Sequence, residues 1–476
     1  MAISSDIFFA TISELGAKLR AKEFSAVELT RSYCDRLERL GPRFNALALS
    51  LREQALRQAR TVDDDLKRDR TRGPLQGIPY AVKDLIAVKG KPTTWGAKPF
   101  AGQTFDEDAK VVQNLDKTGA ILIGKLAMIE LAGGGGYRSA AASLTGPGLN
   151  PWDRTRWSGG SSSGSGIATA AGLAGFTLGS ETSGSILTPC AFCGVTGLRP
   201  TYGLVSRRGA MALSWTLDKI GPLCRSAEDC GLVLATIGGG DVEDPGSAGK
   251  NFKYSPQYAR KPEEITIGYA PVDFEGWTEP DTRPAFVAAL AAMKSLGFKF
   301  KEIELPDFPY GALVQTIIAG EAGSIFEDLI RSGRVDELAD KDQIAGLKAS
   351  LDLPCLEYLR AMRVRSLVQE AFRTLFLDVE MLLAPSRMGV APKVAEGLNG
   401  GGTPFPPPSS RGLTGIIPAG NLAGLPAISL PCGFANGLPV AISVVGRPFQ
   451  ENRLLDVGRA FQSQTDWHRQ RPPLGE

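Results

Sequence analysis

Two clusters of glycine and serine hold the residues best suited to chemistry. The first reads Trp157-Ser158-Gly159-Gly160-Ser161-Ser162-Ser163-Gly164-Ser165-Gly166 and the second Gly179-Ser180-Glu181-Thr182-Ser183-Gly184-Ser185-Ile186. A serine hydroxyl becomes a nucleophile once a base takes its proton. Glycine lets the backbone turn sharply or approach a ligand closely. In the second cluster the successive amides of Thr182, Ser183, Gly184 and Ser185 can converge on one oxygen, which is how an oxyanion is held. Ser185 is therefore the expected nucleophile. The base is less obvious, because the chain has one histidine, His468, beside the C-terminus. A Ser-His-Asp site needs a histidine in the right place, and a zinc hydrolase commonly needs several. Lys83, closing the apolar stretch Pro79-Tyr80-Ala81-Val82, offers another route. An amine kept in a dry site can be neutral and accept a proton relayed through a second hydroxyl. Local sequence alone favours a lysine leaving a strand for solvent and a serine in an ordinary turn; only the combination argues otherwise.

Other patterns compete with this one. Gly160-Ser161-Ser162-Ser163-Gly164 fits G-x-S-x-G, the nucleophile elbow of an esterase that would use His468 as base, but Asn150 to Arg156 before it is not the apolar strand that motif needs. Gly119-x4-Gly124-Lys125 imitates a phosphate loop, with Leu126 where a hydroxyl must meet magnesium. Cys190-Ala191-Phe192-Cys193 has no second pair and no nearby histidine, so both thiols are expected to be buried hydrophobes. Gly133 to Gly136 reads equally as the wall of a pocket and as a plain loop.

The totals narrow the class. At 476 residues, 43% hydrophobic, the chain can bury a large core. Its formal charge of +2 comes from 53 basic and 51 acidic residues, with no long basic run, so no nucleic acid is expected as a partner. No apolar run reaches the roughly 18 residues of a membrane span, and no basic start precedes an apolar run near Met1, so neither membrane nor signal peptide is expected. Seven scattered cysteines make no disulfide framework. A cytoplasmic enzyme without metal or cofactor is the resulting expectation.

Strands and helices must carry these groups to one place. Residues 11–40 show helical spacing broken at Phe24-Ser25-Ala26, with Ser25 and Glu28 as a capping box, and residues 50–68 form a third, charged helix. Strands are expected at 79–83, 120–126, 265–269, 298–303, 379–385, 427–431 and 439–446, with 311–378 mainly helical. The apolar segment Ile167–Leu178 reads as a buried helix joining the two clusters, and Leu217–Leu223 as a turn. Gly400–Ser410 reads as a long loop of the kind that lids a site.

Taken together, Gly77-Ile78-Pro79-x3-Lys83-Asp84, Gly159-Gly160-Ser161-Ser162, Thr182-x-Gly184-Ser185-Ile186, Gly194-Val195-x-Gly197-Leu198-Arg199-Pro200-Thr201, Asn421-Leu422-Ala423-Gly424-Leu425-Pro426-Ala427 and Gly446-Arg447-Pro448-Phe449 resemble the amidase signature family. The resemblance covers nearly the whole chain, with its motifs in order. It implies an α/β fold: one large α/β/α domain, a twisted mixed β-sheet covered by helices on both faces. Its parts would be N-terminal helices 1–70, a catalytic core 71–237, a linker 238–262 and a C-terminal half of the sheet 263–476. It further implies a Ser–cis-Ser–Lys triad: Ser185 as nucleophile, Ser161 as relay after a cis peptide, Lys83 as base and later acid, with Ser162 supporting the lysine and the amides of Thr182–Ser185 as the oxyanion hole. The chain departs from the family pattern at Glu181 (usually Asp), Ser183 (usually Gly) and Leu187 (usually Arg), so the usual Asp–Arg brace cannot form and Glu181 is expected to accept backbone amides instead.

One branch of the family is the A subunit of the glutamyl-tRNA amidotransferase, which hydrolyses glutamine and channels ammonia. It grips glutamine with an Asp just before the Asn-Leu-Ala-Gly-Leu-Pro motif and with an upstream Arg. No Asp lies between Asp378 and Asp456 here, and Ser409–Pro418 offers none. The expectation is therefore a stand-alone amidase for an uncharged amide, or an anilide, carbamate or ester, with apolar walls from Gly133–Gly136, Phe405, Ile416 and Ile417. Its expected partners are the small-molecule substrate and, at most, a second copy of the chain. The glutamine-hydrolysing component of an amidotransferase is one alternative, and the His468 esterase is the other.

Overall fold

The N-terminal periodicity becomes two helices, Ile12–Arg20 and Ala26–Leu40, each opened by a capping box, Thr11 with Glu14 and Ser25 with Glu28. A third helix, Arg52–Lys67, follows. The computed structural model describes residues 3–398 and 412–475. The expected lid at Gly400–Ser410 and the wall residue Phe405 lie outside them.

Among the described residues an 11-stranded mixed sheet runs through the molecule. Its strands are β1 (Leu47–Ser50), β2 (Pro79–Lys83), β3 (Ile121–Leu126), β4 (Phe176–Glu181), β5 (Thr196–Arg199), β6 (Lys219–Cys224), β7 (Thr266–Tyr269), β8 (Lys299–Glu302), β9 (Met381–Pro385), β10 (Ala427–Ala435) and β11 (Leu438–Gly446). The spatial order is β1-β3-β2-β4-β6-β5-β10-β11-β9-β7-β8. β2 runs parallel to β3 and β4, and β7 parallel to β8 and β9, while the middle of the sheet is antiparallel. Every residue of β2, β3, β4, β6, β9 and β11 is buried, so side chains on both faces are covered, as in an α/β sheet.

The centre of the sheet departs from expectation. Ile167–Leu178 is not one helix: a helix spans Ser163–Ala170, Gly172 takes φ +64°, and β4 begins at Phe176. Residues 217–223 are not a turn, because β6 starts at Lys219 and pairs with both β4 and β5 despite Gly221 and Pro222. Gly221 has a packing reason, since a Cβ there would lie 2.1 Å from the Leu198 carbonyl oxygen. Periodicity cannot separate a short buried helix from a fully buried strand, and glycine with proline imitates a turn.

Candidate active site

Lys83 is the last residue of β2, the strand flanked by β3 and β4, and is fully buried. Its Nζ is hydrogen-bonded to Ser161 Oγ at 2.7 Å and to Ser180 Oγ at 3.0 Å. Burial pushes its pKa from 10.5 down to about 7, against the smaller upward pull of Asp218 and Glu181. Near neutrality a large share of this amine is uncharged, as a base requires. Ser161 follows a cis peptide at Gly160.

Ser162 makes no hydrogen bond to the lysine. Its Oγ donates to the Ser180 carbonyl at 3.1 Å and accepts the Ser180 amide at 3.2 Å, so it pins β4, which in turn presents the Ser180 hydroxyl to Lys83. Sequence reasoning missed Ser180. The period of two along β4 was the available signal: Ser180 and Glu181 must face opposite sides, one toward Lys83 and one toward the turn.

The second cluster leaves the end of β4 and turns into the helix Leu187–Cys193. Gly184 sits at φ +91°, a conformation L side chains rarely adopt, and a Cβ there would meet Thr188 Oγ1 at 3.2 Å and Ile417 Cγ2 at 3.3 Å. Among the described residues, the amides of Thr182, Ser183, Gly184 and Ser185 and the Ser185 hydroxyl make no hydrogen bond. The Ser185 side of the turn is fixed instead through its carbonyl, which accepts the Ser162 amide at 3.3 Å. The two serine clusters are thus joined directly, by a bond between Ser185 and the residue next to Ser161.

Glu181 supplies the missing brace. Its Oε2 accepts the amides of Ile186 at 2.9 Å and Leu187 at 3.0 Å, and its Oε1 accepts Arg199 Nη1 and Asn421 Nδ2, both at 2.9 Å. Lys219 donates to Asn421 Oδ1 at 2.6 Å. Burial alone would raise the Glu181 pKa, but Arg199 foremost, then Lys219, Asn421 and the Leu187 amide, bring it down to about 2. Burial and Arg199 push the Lys219 amine well below its usual value, so Arg199 is the permanent counter-charge. The turn is therefore anchored to β5, β6 and the helix Ile416–Leu422 rather than to position 187.

Beside the turn, Thr182 Oγ1 donates to Asp218 at 2.6 Å, and burial raises the Asp218 carboxyl. Ser180, Thr182 and Asp218 line a cavity of about 540 Å³ with Tyr202, Leu213 and Trp215. A larger hollow, about 740 Å³, lies between the N-terminal segment and His468 and holds none of the candidate residues. This removes the esterase alternative: His468 packs beside Arg225 far along the chain from the G-x-S-x-G segment, and burial lowers its pKa to about 4. The phosphate-loop imitation fails too, since Lys125 is buried within β3 and paired with Asp84 at 2.8 Å. Cys190 and Cys193 are buried free thiols. Among the described residues no group of three or more His, Cys, Asp or Glu could hold a metal ion, and no helix is long and apolar enough to cross a membrane. The Gly133–Gly136 run packs closely on the helix Lys341–Ser350, where a Cβ at Gly135 would meet the Gln343 carbonyl at 2.5 Å.

The Amidase family model matches residues 28–455. The chain belongs to the amidase family. This amidase is 38% identical to the A subunit of the glutamyl-tRNA(Gln) amidotransferase from Moorella thermoacetica, over 99% of both chains. It is 36% identical to the protein of the same name from Carboxydothermus hydrogenoformans, over 98% of this chain and 100% of that one. Its fold superposes with a TM-score of 0.86, at 30% identity and over 96% of this chain and 98% of the other, on a solved "vestigial protein complex" bearing on the origins of an s-triazine catabolic enzyme. The amidase is thus a hydrolase of the amidase signature type with the matching mixed α/β fold.

These relatives correct two expectations. A stand-alone amidase for an uncharged amide does not fit full-length relatives named as one component of an amidotransferase. Nor do partners limited to a small molecule and a second copy, without nucleic acid, fit relatives whose names carry a tRNA and a subunit letter. The missing Asp outweighed the rest of the chain in that reading, although one substrate contact says little about assembly.

Proposed function

We propose that this amidase is the amide-hydrolysing component, of the A type, in a tRNA-dependent amidotransferase assembly, with glutamine as its amide. Identity to the relatives so named along 98% or more of both chains carries the reading. In this scheme neutral Lys83 draws a proton from Ser185 by way of Ser161, and the Ser185 oxygen attacks the amide carbon. The amides of Thr182–Ser185, which bond none of the described residues, receive the resulting oxyanion. Lys83 returns the proton through Ser161 to the departing nitrogen, ammonia leaves, and water hydrolyses the acyl-enzyme by the same relay. Ser180 and Ser162 position the amine. Residues 1–476 act as one domain with the parts given above, in the cytoplasm where tRNA is charged.

The test is ammonia release from glutamine by the protein isolated with its natural partners. Release that depends on Ser185 and on glutamine is expected; an intact assembly with no glutamine-dependent release would refute it. One observation favours a second reading. No Asp stands between Asp378 and Asp456 to meet the ammonium of glutamine, and the complex linked to an s-triazine catabolic enzyme covers the chain nearly as fully as the tRNA-linked relatives do. In that reading the assembled protein hydrolyses an amide other than glutamine, and the same assay with a panel of amides separates the two.

A further inference from the structure

The sheet places Asp218 at the root of the serine turn. β4 and β6 pair with Glu181 opposite Lys219, so one step further Thr182 meets Asp218, where β4 ends and β6 begins. Oδ1 of Asp218 accepts the Thr182 hydroxyl at 2.6 Å, and Oδ2 accepts the amides of Leu213 at 2.8 Å and Ser214 at 2.9 Å. Two amides on one oxygen and a hydroxyl on the other suit the ionised carboxylate. The segment 213–217 is itself pinned from behind. Glu321, buried on the helix Tyr310–Ile325, accepts the Ser214 hydroxyl at 2.6 Å, the Thr216 hydroxyl at 2.7 Å and the Thr216 amide at 3.1 Å. Arg365, on the helix Cys355–Asp378, donates to the Thr216 carbonyl at 2.8 Å. The carboxylate therefore has a fixed seat.

Its charge is also left over. Among the described residues no cation is bonded to Asp218. The two that act on it are engaged elsewhere: Arg207 is paired with Asp244 at 2.9 Å, and Lys219 donates to Asn421 at 2.6 Å. Two carboxylates act on Lys83, and Glu181 is already bonded to Arg199 at 2.9 Å. Asp218 exerts the larger upward pull on the lysine of the two. It shares the wall of one cavity with Thr182 and with Ser180, the residue whose hydroxyl is bonded to Lys83.

We infer that Asp218 is a positioning residue for the reaction at Ser185: one carboxylate oxygen holds Thr182, and with it the first amide of the oxyanion turn, while the negative charge supports the ammonium that Lys83 becomes on taking the serine proton. When that proton passes from Ser185 Oγ by way of Ser161 to Lys83 Nζ, a positive charge appears at the amine as a negative one appears at the turn. A fixed anion favours the first, and an anchored amide meets the second. Asp218 touches neither substrate nor reacting atom and acts through two groups that do. The inference rests on hydrolysis at Ser185 and extends it to the carboxylate that ties the turn to the base.

The experiment follows the rate at which a fluorophosphonate labels Ser185 in the assembled protein, from about pH 5 to about pH 9. Labelling draws on the neutral amine and the oxyanion amides whatever the substrate is. In the wild type the rate should rise with pH through about 7, where Lys83 loses its proton. Asp218→Asn keeps the shape, removes the charge and offers Thr182 or the amides of 213–214 an NH2 group in place of an acceptor. With the upward pull on Lys83 gone, its midpoint should move to lower pH by at least about half a pH unit, and its plateau rate should fall at least about tenfold. Thr182→Val leaves the charge and breaks the bond, and its plateau should also fall at least about tenfold. Thr182→Ser restores the hydroxyl and should recover most of that loss. The two Thr182 variants decide the matter if Asp218→Asn does not fold. An unmoved midpoint in folded Asp218→Asn, or a Thr182→Val protein that labels like the wild type, would overturn the inference and leave Ser185 as nucleophile. Absence of labelling at Ser185 in the wild type at every pH would instead remove the hydrolytic reading beneath it.

Discussion

Replacing Lys83 by methionine should make the protein more stable at neutral pH while destroying its activity, and the gain should vanish in alkali. The lysine is fully buried, and its pKa falls from 10.5 to about 7 on folding, burial being the main cause. Between those two values the unfolded chain holds a proton that the folded protein does not, so stability rises with pH across that window. The sign follows from the folded pKa being the lower one. Below pH 7 both states are protonated and the folded state bears the full cost of a buried charge. At about 1.36 kcal/mol per pH unit, that cost is about 5 kcal/mol. Methionine keeps most of the volume and never ionises. It forgoes the bonds to Ser161 and Ser180, a loss of about 1–3 kcal/mol that varies little with pH. Urea unfolding of both proteins should therefore show the wild type gaining about 3 kcal/mol relative to Lys83→Met between pH 6 and pH 9. Other titrating groups are common to both proteins and largely cancel. A difference that stays flat across this range would mean that Lys83 is not desolvated, and the neutral-amine base would go with it.

Three further outcomes follow from the geometry. Ser185→Ala should abolish labelling by a fluorophosphonate probe and lower turnover at least about 10³-fold, with little change in thermal midpoint, because its hydroxyl bonds none of the described residues. Glu181→Ala should cost about 3–5 kcal/mol in chemical unfolding, since it strands Arg199 in the interior, and turnover should fall as the Ile186 and Leu187 amides come loose. His468→Ala should leave turnover within about twofold, because the ring lies against the N-terminal segment and not the serine turns.

Much of the site could be read before any coordinates. Lys83, Ser161 and Ser185 stood out only in combination, through motifs that fall in order and resemble a known family, and the structure bonds Lys83 to Ser161 and joins the two clusters. β2, β3 and β7 to β11 were legible as short, mostly apolar runs between turn residues, whereas the edge strand β1 went unrecognised. The middle of the sheet was not. β4 and β6 are short, buried on both faces and interrupted by glycine or proline, so neither period nor composition marks them. The groups that hold the site in shape were equally hidden. Ser180, Asp218 and Lys219 sit on or beside strands that had not been recognised, and Arg199 and Asn421 reach Glu181 from 18 and 240 positions away. Such long-range partners leave no trace in local spacing. Assembly was misjudged for a different reason: balanced charge does not exclude a nucleic acid that other chains could hold.

The anchor beneath the serine turn decides what position 187 can hold. Leu187 is now packed among Leu217, Ile416 and other apolar side chains, and one carboxylate already serves Arg199 and, through Asn421, Lys219. An arginine placed at 187 would bring a second permanent cation to a carboxylate whose two oxygens are already engaged, inside an apolar pocket. Position 187 is therefore closed to a charged side chain, because the interior beneath the turn has already committed that carboxylate to other partners.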